Sequence, residues 1–395
     1  MPDYFGIPVI DPSVTVVGRQ RISALPFRAY AKIYNEYYRD QNLIKEINYK
    51  LVDGDNSGKS DLWQLRRRAW EHDYFTACLP WAQKGDAVQI PLGDIQLKDA
   101  PTSAGSFRKY NDHTTPSNGN VTTISGATYI NSGGTPIVYD PNDSLQVSPT
   151  NINDLRRAFR LQEWLEKAAR GGSRYIEWIR SMFGVTSSDK RLQRPEYITG
   201  TKSPVVISEV LNTSGSAAGV QGELPQGNMS GHAVSVNSGQ YGSYYCEEHG
   251  YIIGIMSVMP KPAYMQGFDK HWLKTIDPTQ YYFSSFANIG EQEVLNKEIM
   301  AYSNIQDNTF GYIPRYAEYR YMPNRVCGNF RTDLYFWHQA RIFGEVPQLN
   351  EEFIQCNPDK RIFAVTEEDT NSLYAQVYNK ITSVRPLPKF GTPSF

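Results

Sequence analysis

From Ser23 to Leu43 apolar side chains recur at Phe27, Tyr30, Ile33, Tyr34, Tyr37 and Tyr38, the spacing that collects one face of an α-helix. Ser23 stands where an N-cap is expected and Pro26 in the first turn, where its missing N–H is not needed. A second helical pattern begins near Asn153 and puts Leu155, Ala158, Leu161, Leu165 and Ala168 on one face until Gly171 and Gly172 end it. Tyr175, Ile176, Ile179 and Phe183 then resume the period as far as Gly184, so the pair reads as helix, glycine hinge, helix. Both patterns predict packing elements rather than sites.

Elsewhere the period shortens. Val205–Val210, Tyr251–Val258, Arg361–Val365 and Leu373–Ile381 are β-rich runs bounded by Pro, Gly, Asn and Asp. The expected class is therefore mainly β with inserted helices. The runs lie far apart, and connections of such length need a function or a neighbouring surface to order them. Residues 94–151 are dominated by Ser, Thr, Gly, Asn, Asp and Pro and cannot supply core. They read as a surface insertion of turns and small hairpins, or as a disordered linker. Residues 385–393 carry three prolines and predict an extended arm over 385–395, lying on its own domain or on a neighbour.

Composition changes this picture modestly. A chain of 395 residues can bury a large core without staples. Forty Lys and Arg balance 41 Asp and Glu, so no global basic field points to nucleic acid and any such contact is local. Tyrosine reaches 27 residues, which suits protein–protein contact surfaces and equally suits strands. The four cysteines are widely separated and form no C-x-x-C pair, which argues against a zinc knuckle or a disulfide framework. The first residues lack the charged and apolar regions of a secretory leader, and no apolar run reaches the length of a membrane span, so the chain is expected to be soluble and made in the cytosol.

Candidate chemistry is sparse. Ile47–Val52, the loop Asp53-Gly54-Asp55-Asn56-Ser57-Gly58-Lys59-Ser60 and a helix-like Asp61–Trp70 imitate a strand, P-loop, helix unit. The first glycine of a P-loop would fall at Asp53, and Asp53 and Asp55 would repel phosphate. Asp53, Asp55, Ser57, Gly58 and Asp61 also occupy calcium-loop positions, but Gln64 replaces the closing bidentate Glu, leaving at most a weak cation site. The plain alternative is a polar turn handing over to a helix with Ser60 as N-cap. His72, His271 and His338 each neighbour Trp or acidic residues, as structural histidines do, and no catalytic triad, metal set or cofactor motif is apparent. Arg66, Arg67 and Arg68, followed by Trp70 and Tyr74, form the densest basic run with aromatic neighbours. That combination serves single-stranded nucleic acid or intramolecular ion pairs.

Several ordered blocks resemble the major capsid protein of gokushovirus-type microviruses (Microviridae). They include Leu25-Pro26-Phe27-Arg28-Ala29-Tyr30, Asp61–Phe75 running to Gly85, and Ala169–Glu177. Further blocks are Arg191–Tyr197, Glu247–Gly254, Gly290–Glu293, Phe310–Tyr319 and Lys389–Pro393. The resemblance covers nearly the whole chain outside the polar insertion. It implies a single antiparallel jelly-roll capsid domain over residues 1–395, assembled with its copies into a small T=1 icosahedral shell around circular single-stranded DNA of a bacteriophage. It also implies an internal scaffolding protein and a DNA pilot protein as partners, assembly in the host cytoplasm, and a host receptor met by an insertion matching residues 94–151. Similar proteins carry a substantial stretch before the point matching Asp3-Tyr4-Phe5-Gly6, with early strands of the jelly roll, so the chain is expected to be an incomplete reading of a longer gene or to close its barrel differently. The role expected is structural and not enzymatic. A non-capsid β-rich receptor- or glycan-binding module is the alternative, and a nucleotide-binding enzyme built on Gly58-Lys59-Ser60 is a third reading.

Overall fold

A computed structural model describes residues 1–8, 20–89, 151–210, 231–363, 366–367, 369–385, 389 and 391, with the backbone of short strands between 95 and 147. The chain gathers into two compact units, Gln83–Gly171 and the remainder. Helix α1 spans Leu25–Ile33 and continues as one π-helical turn, Tyr34–Tyr38. Ser23 accepts a hydrogen bond from the Leu25 N–H at 3.3 Å, one residue ahead of the N-cap Ala24. The helix stops short of the expected Leu43 because tertiary and turn bonds claim the residues around its end. Asn35 is buried and pairs both polar atoms of its amide with the Ile47 backbone, at 2.9 and 3.1 Å. The Asp40 carboxylate accepts the N–H groups of Asn42 and Leu43 at 2.8 and 2.9 Å, an Asx-turn that competes with helix.

Helix α2 is a single turn, Ser60–Trp63, with Lys59 and not Ser60 at the N-cap. The helix expected to run on to Trp70 is absent, and the physical reason is again tertiary. The Arg66 N–H donates to the Tyr30 hydroxyl at 3.0 Å, the Ala69 N–H to the Tyr38 carbonyl at 3.1 Å and the Trp70 N–H to the Ile354 carbonyl at 2.9 Å. A backbone committed to those partners cannot also make the helical ladder.

In the unit Gln83–Gly171, β1 (Ile95–Leu97) pairs antiparallel with β7 (Leu145–Val147), Ile95 opposite Val147. The ends of the polar segment are thus joined by their own backbone. Between them β2 (Arg108–Asn111) pairs with β3 (Thr115–Asn118), and β4 (Thr122–Thr123), β5 (Ile130–Ser132) and β6 (Thr135–Pro136) make a small antiparallel sheet. Helix α3, Ile152–Gly171, completes the unit, and the Lys84 N–H reaches the Leu165 carbonyl at 3.4 Å.

The larger unit resumes at the hinge. Gly172 has φ +94°, and a Cβ there would fall 2.2 Å from Glu177 Oε2, so both conformation and space require glycine. Helix α4, Tyr175–Phe183, ends on Gly184 in the left-handed region, as its sequence predicts. Gln41 Oε1 accepts the N–H groups of Ser173 and Arg174 at 3.0 and 3.2 Å, and Glu36 receives Arg194 at 2.7 Å, tying this corner to α1 and its π turn. Strand β8 (Val206–Val210) pairs with β9 (Gly231–Val234), in the place where a strand is expected. Strand β10 (Ala263–Tyr264) lies parallel to β13 (Asn324–Arg325), and β11 (Glu291–Leu295) antiparallel to β12 (Thr309–Pro314). Helices α5 (Asn296–Ile299) and α6 (Glu351–Ile354) are one turn each.

The β11–β12 hairpin organises the core. Val294 and Ile313 are fully buried, and around them pack Ile44, Tyr74, Phe75, Tyr264, Ile299, Phe310, Phe353 and Ile354. Ring pairs at 4.6 Å (Phe75–Tyr264) and 5.0 Å (Phe310–Phe353) meet tilted and edge-on, the geometries that aromatic quadrupoles favour. Tyr312 exchanges backbone bonds of 2.8 Å with Leu79, so β12 is paired on both edges. Gly311 lies where a Cβ would come within 2.9 Å of Cys78 Cβ, which lets the segment around Leu79 close on the strand.

Three of the expected β runs form no ladder. Tyr251–Val258 and Leu373–Ile381 form neither helix nor strand among the described residues, and Arg361–Phe363 is a turn held by the Phe363 N–H on the Lys360 carbonyl. Residues 364 and 365 lie outside the described residues, as does most of the expected arm at 386–395. Among the described residues most of the chain is neither helix nor strand, and its sheets have two or three short strands. The doubled sheet of a jelly roll is not assembled within them.

Two buried ion clusters lock the core module. The Glu298 side chain is wholly buried and accepts Tyr74 Oη at 2.8 Å, Lys270 Nζ at 2.9 Å and the Leu295 N–H at 2.9 Å. Burial, with the charge of Glu298 beside it, pushes the Tyr74 phenol far up, so it stays a donor. In the second cluster Glu318 receives Lys274 Nζ at 2.7 Å and Gln292 Nε2 at 2.8 Å. Burial raises the Glu318 carboxyl, but those hydrogen bonds outweigh it and hold the group below its ordinary range.

Lys270→Met strands the Glu298 carboxylate in the core and is expected to cost about 3 kcal/mol in urea unfolding. Adding Glu298→Met to that variant should recover much of the loss. Because folded Glu318 resists a proton that the unfolded chain accepts, its stabilisation is present at neutral pH and lost as pH falls through and below the usual glutamate range. Urea midpoints measured from pH 7 down to 3 should therefore fall less steeply for Glu318→Gln than for the parent chain.

Candidate assembly surface and nucleic-acid interface

The arginine run comes after the single turn of α2 and is not helical. Arg66 turns back to Asp61, meeting its carboxylate at 3.2 Å and its carbonyl at 2.8 Å. Arg68 donates to Ser257 Oγ at 3.0 Å and stands 5.7 Å from the centre of the Tyr38 ring. Arg67 is exposed, and its backbone carbonyl accepts the Tyr34 hydroxyl at 2.9 Å. Arg66 and Arg68 are thus bonded to protein groups, while Arg67 is exposed at a small hollow that it lines together with Arg66, Lys45, Gln64, Glu351 and Gln355.

The loop before them is a polar turn. The Asn56 side chain bridges both polar atoms of Val52, at 2.9 and 2.8 Å, and Asp55 Oδ1 accepts the Ser57 N–H at 2.8 Å. Lys59 Nζ is bound to the Lys50 carbonyl. No strand precedes the loop and only one helical turn comes after it, so the backbone does not form a phosphate cradle. His338 bonds the Phe330 carbonyl through Nε2 and accepts the Ala340 N–H through Nδ1, and His271 packs on Trp272. The four cysteines are free thiols, Cys78 and Cys356 buried, and burial pushes the Cys356 thiol up to about 11.

The prominent feature of the larger unit is apolar chain left in water. Ile252, Met256 and Val258 are exposed along one side of residues 251–258, while Ile253 and Ile255 are partly covered. Residues 373–385 are exposed throughout, with Tyr374 at 93% and Val384 at 98%. Trp272, Ile276, Tyr302 and Met322 add apolar surface elsewhere. Single exposed apolar residues are ordinary, but consecutive runs of them mark interaction surfaces. Tyr374 and Tyr378 in this run are exposed, while Tyr74 and Tyr264 serve the core. Sequence patterning located these runs but assigned them to intrachain strands.

Comparison with known proteins identifies the family of the chain. The sequence profile of a family described as "Capsid protein (F protein)" matches residues 1–395. The chain is 38% identical to Capsid protein VP1 of Bdellovibrio phage phiMH2K, over 99% of this chain and 75% of that protein. It is 32% identical to Capsid protein VP1 of Chlamydia phage 1, over 99% of this chain and 76% of that one. Capsid protein VP1 of Spiroplasma virus 4 is 31% identical, over 100% of this chain and 76% of its own length. The chain belongs to the phage F-type capsid protein family and is a structural, major capsid protein of the microvirus type.

Proposed function

We propose that this chain builds a T=1 icosahedral shell around single-stranded DNA, and that its subunit fold is completed as an antiparallel jelly roll. The observation that carries the proposal is the run 373–384, exposed throughout and without a ladder partner among the described residues. Unpaired strand edges of this length are aggregation hazards in a protein that works alone, and productive contacts in one that works among copies. Obligate contacts of a shell bury on the order of 2,000 Å² or more per interface, enough to order long loops. Family resemblance supports an internal scaffolding protein and a DNA pilot protein as further partners, with assembly in the host cytoplasm. The self-paired polar segment within residues 94–151 is the proposed host-contacting insertion, since β1 and β7 join its ends independently of the rest of the chain. Among the described residues no helix is long and apolar enough to cross a membrane, and the proposed location is the virion.

Of the three arginines, Arg67 is the proposed DNA contact. Among the described residues its side chain makes no hydrogen bond or ion pair, and Lys45 lines the same hollow. Phosphate neutralisation needs cations that are not already spent on carboxylates.

Co-expressed with the internal scaffolding protein of such a phage, the chain is expected to form closed shells in negative-stain electron microscopy. Monomer alone in the presence of soluble scaffold refutes the capsid reading. For DNA, Arg67→Ala should lower the slope of log affinity against log salt by about 0.7 in anisotropy titrations with a labelled oligonucleotide. Arg66→Ala, which removes an internal pair, should change stability more than that slope.

A further inference from the structure

The hollow at Arg67 is lined by more than cations. We propose that it receives one base of single-stranded DNA and prefers a base with an exocyclic amine, cytosine over thymine. This rests on the reading of Arg67 as a DNA contact and names what that site recognises.

The hollow has a volume of about 200 Å³. Pockets that hold drug-sized ligands run to roughly 300–1,000 Å³, so this one has room for a single base and not for a stacked pair. Its apolar lining is Tyr34, Ile44 and Ile47, all buried, together with Leu65, which is 59% exposed. Side chains of this kind cover the faces of a base that has left its stack.

Charge narrows the ligand further. Lys45, Arg66 and Arg67 line the hollow against one carboxylate, Glu351. Arg66 is paired with Asp61 at 3.2 Å, which leaves Lys45 and Arg67 for a phosphate. Arg66 Nε is buried and has no hydrogen-bond partner among the described residues, a donor that a ligand oxygen would satisfy. A cationic peptide is repelled by three such groups, and a bare phosphate is repelled by Glu351. A nucleotide suits both, with its phosphate on the cations and a neutral donor on the carboxylate.

The polar groups then choose the base. Gln355 Nε2 donates to Glu351 Oε1 at 2.6 Å, so that amide nitrogen is spent and the second oxygen of Glu351 remains as an acceptor beside the Gln355 carbonyl. Glu351 is not needed to close the start of α6, because the Asn350 side chain already accepts the Phe353 N–H at 3.0 Å. Acceptors side by side call for a donor on the ligand. Cytosine brings its N4 amine, the group on that base which carboxylates recognise, whereas thymine presents the O4 carbonyl at the same position, lone pair against lone pair.

The test is fluorescence anisotropy of the full chain with labelled oligonucleotides of equal length: all-cytosine, all-thymine and an abasic chain, at slightly alkaline pH. The all-cytosine chain is expected to bind at least about fivefold more tightly than all-thymine, and the abasic chain most weakly. Glu351→Gln, which supplies an amide donor for thymine O4, should bring the cytosine-to-thymine ratio close to one, while Arg67→Ala weakens all three chains and leaves the ratio. Leu65→Ala should weaken the two base-bearing chains and not the abasic one, and it carries the test if Glu351→Gln shifts the urea midpoint. Equal binding of all three chains overturns the base pocket and leaves Arg67 as a phosphate contact. A cytosine preference untouched by both Glu351→Gln and Leu65→Ala lies elsewhere on the chain and overturns the proposal equally. Absence of binding to every oligonucleotide removes the DNA reading on which it rests.

Discussion

The carboxylate of Glu298 is the interaction on which the described core depends. It sits at the end of the β11–β12 hairpin and draws in Tyr74 from far up the chain, Lys270 from the preceding segment and the backbone of Leu295. A buried charge is tolerable only when such partners satisfy it, so those segments must arrive together or not at all. The neighbouring close approach is equally strict: a Cβ at Gly267 would lie 2.0 Å from the Glu298 carbonyl oxygen. Apolar burial supplies most of the stabilisation around Val294 and Ile313, while the ion cluster selects which segments surround them.

That module differs in kind from the chain around it. Where β12 is bonded on both edges, by β11 and by Leu79, the runs at 251–258 and 373–384 join no ladder among the described residues. A protein that acts as a monomer covers, shortens or charges such edges. A shell subunit has another resort, because identical neighbours arrive in fixed geometry and each surface is presented many times. The same division explains the tyrosines, which serve burial in Tyr74 and Tyr264 and surface in Tyr374 and Tyr378.

The helices α3 and α4 and the glycine hinge were legible from residue spacing, because a regular apolar period with glycine at its ends is a local signal. So was β8. The helix expected through Trp70 was not, since the bonds from Arg66, Ala69 and Trp70 go to Tyr30, Tyr38 and Ile354, none of which a local window contains. Among candidate sites, the arginine run was found by composition, but only the structure revealed that the Arg66 and Arg68 side chains are bonded to protein groups and that Arg67 is exposed. The Glu298 and Glu318 clusters carried no signal in the chain, as their members are scattered in sequence.

By itself, the sequence determined the family, the helices α3 and α4, the polar segment and the strand β8, all of which are written in contiguous residues or whole-chain similarity. The tertiary structure alone decided which of the β-rich runs find partners inside the chain, where helix yields to extended backbone, and which charges are buried. Those outcomes depend on hydrogen-bond partners distant in sequence, and a backbone group accepts whichever partner the fold brings to it.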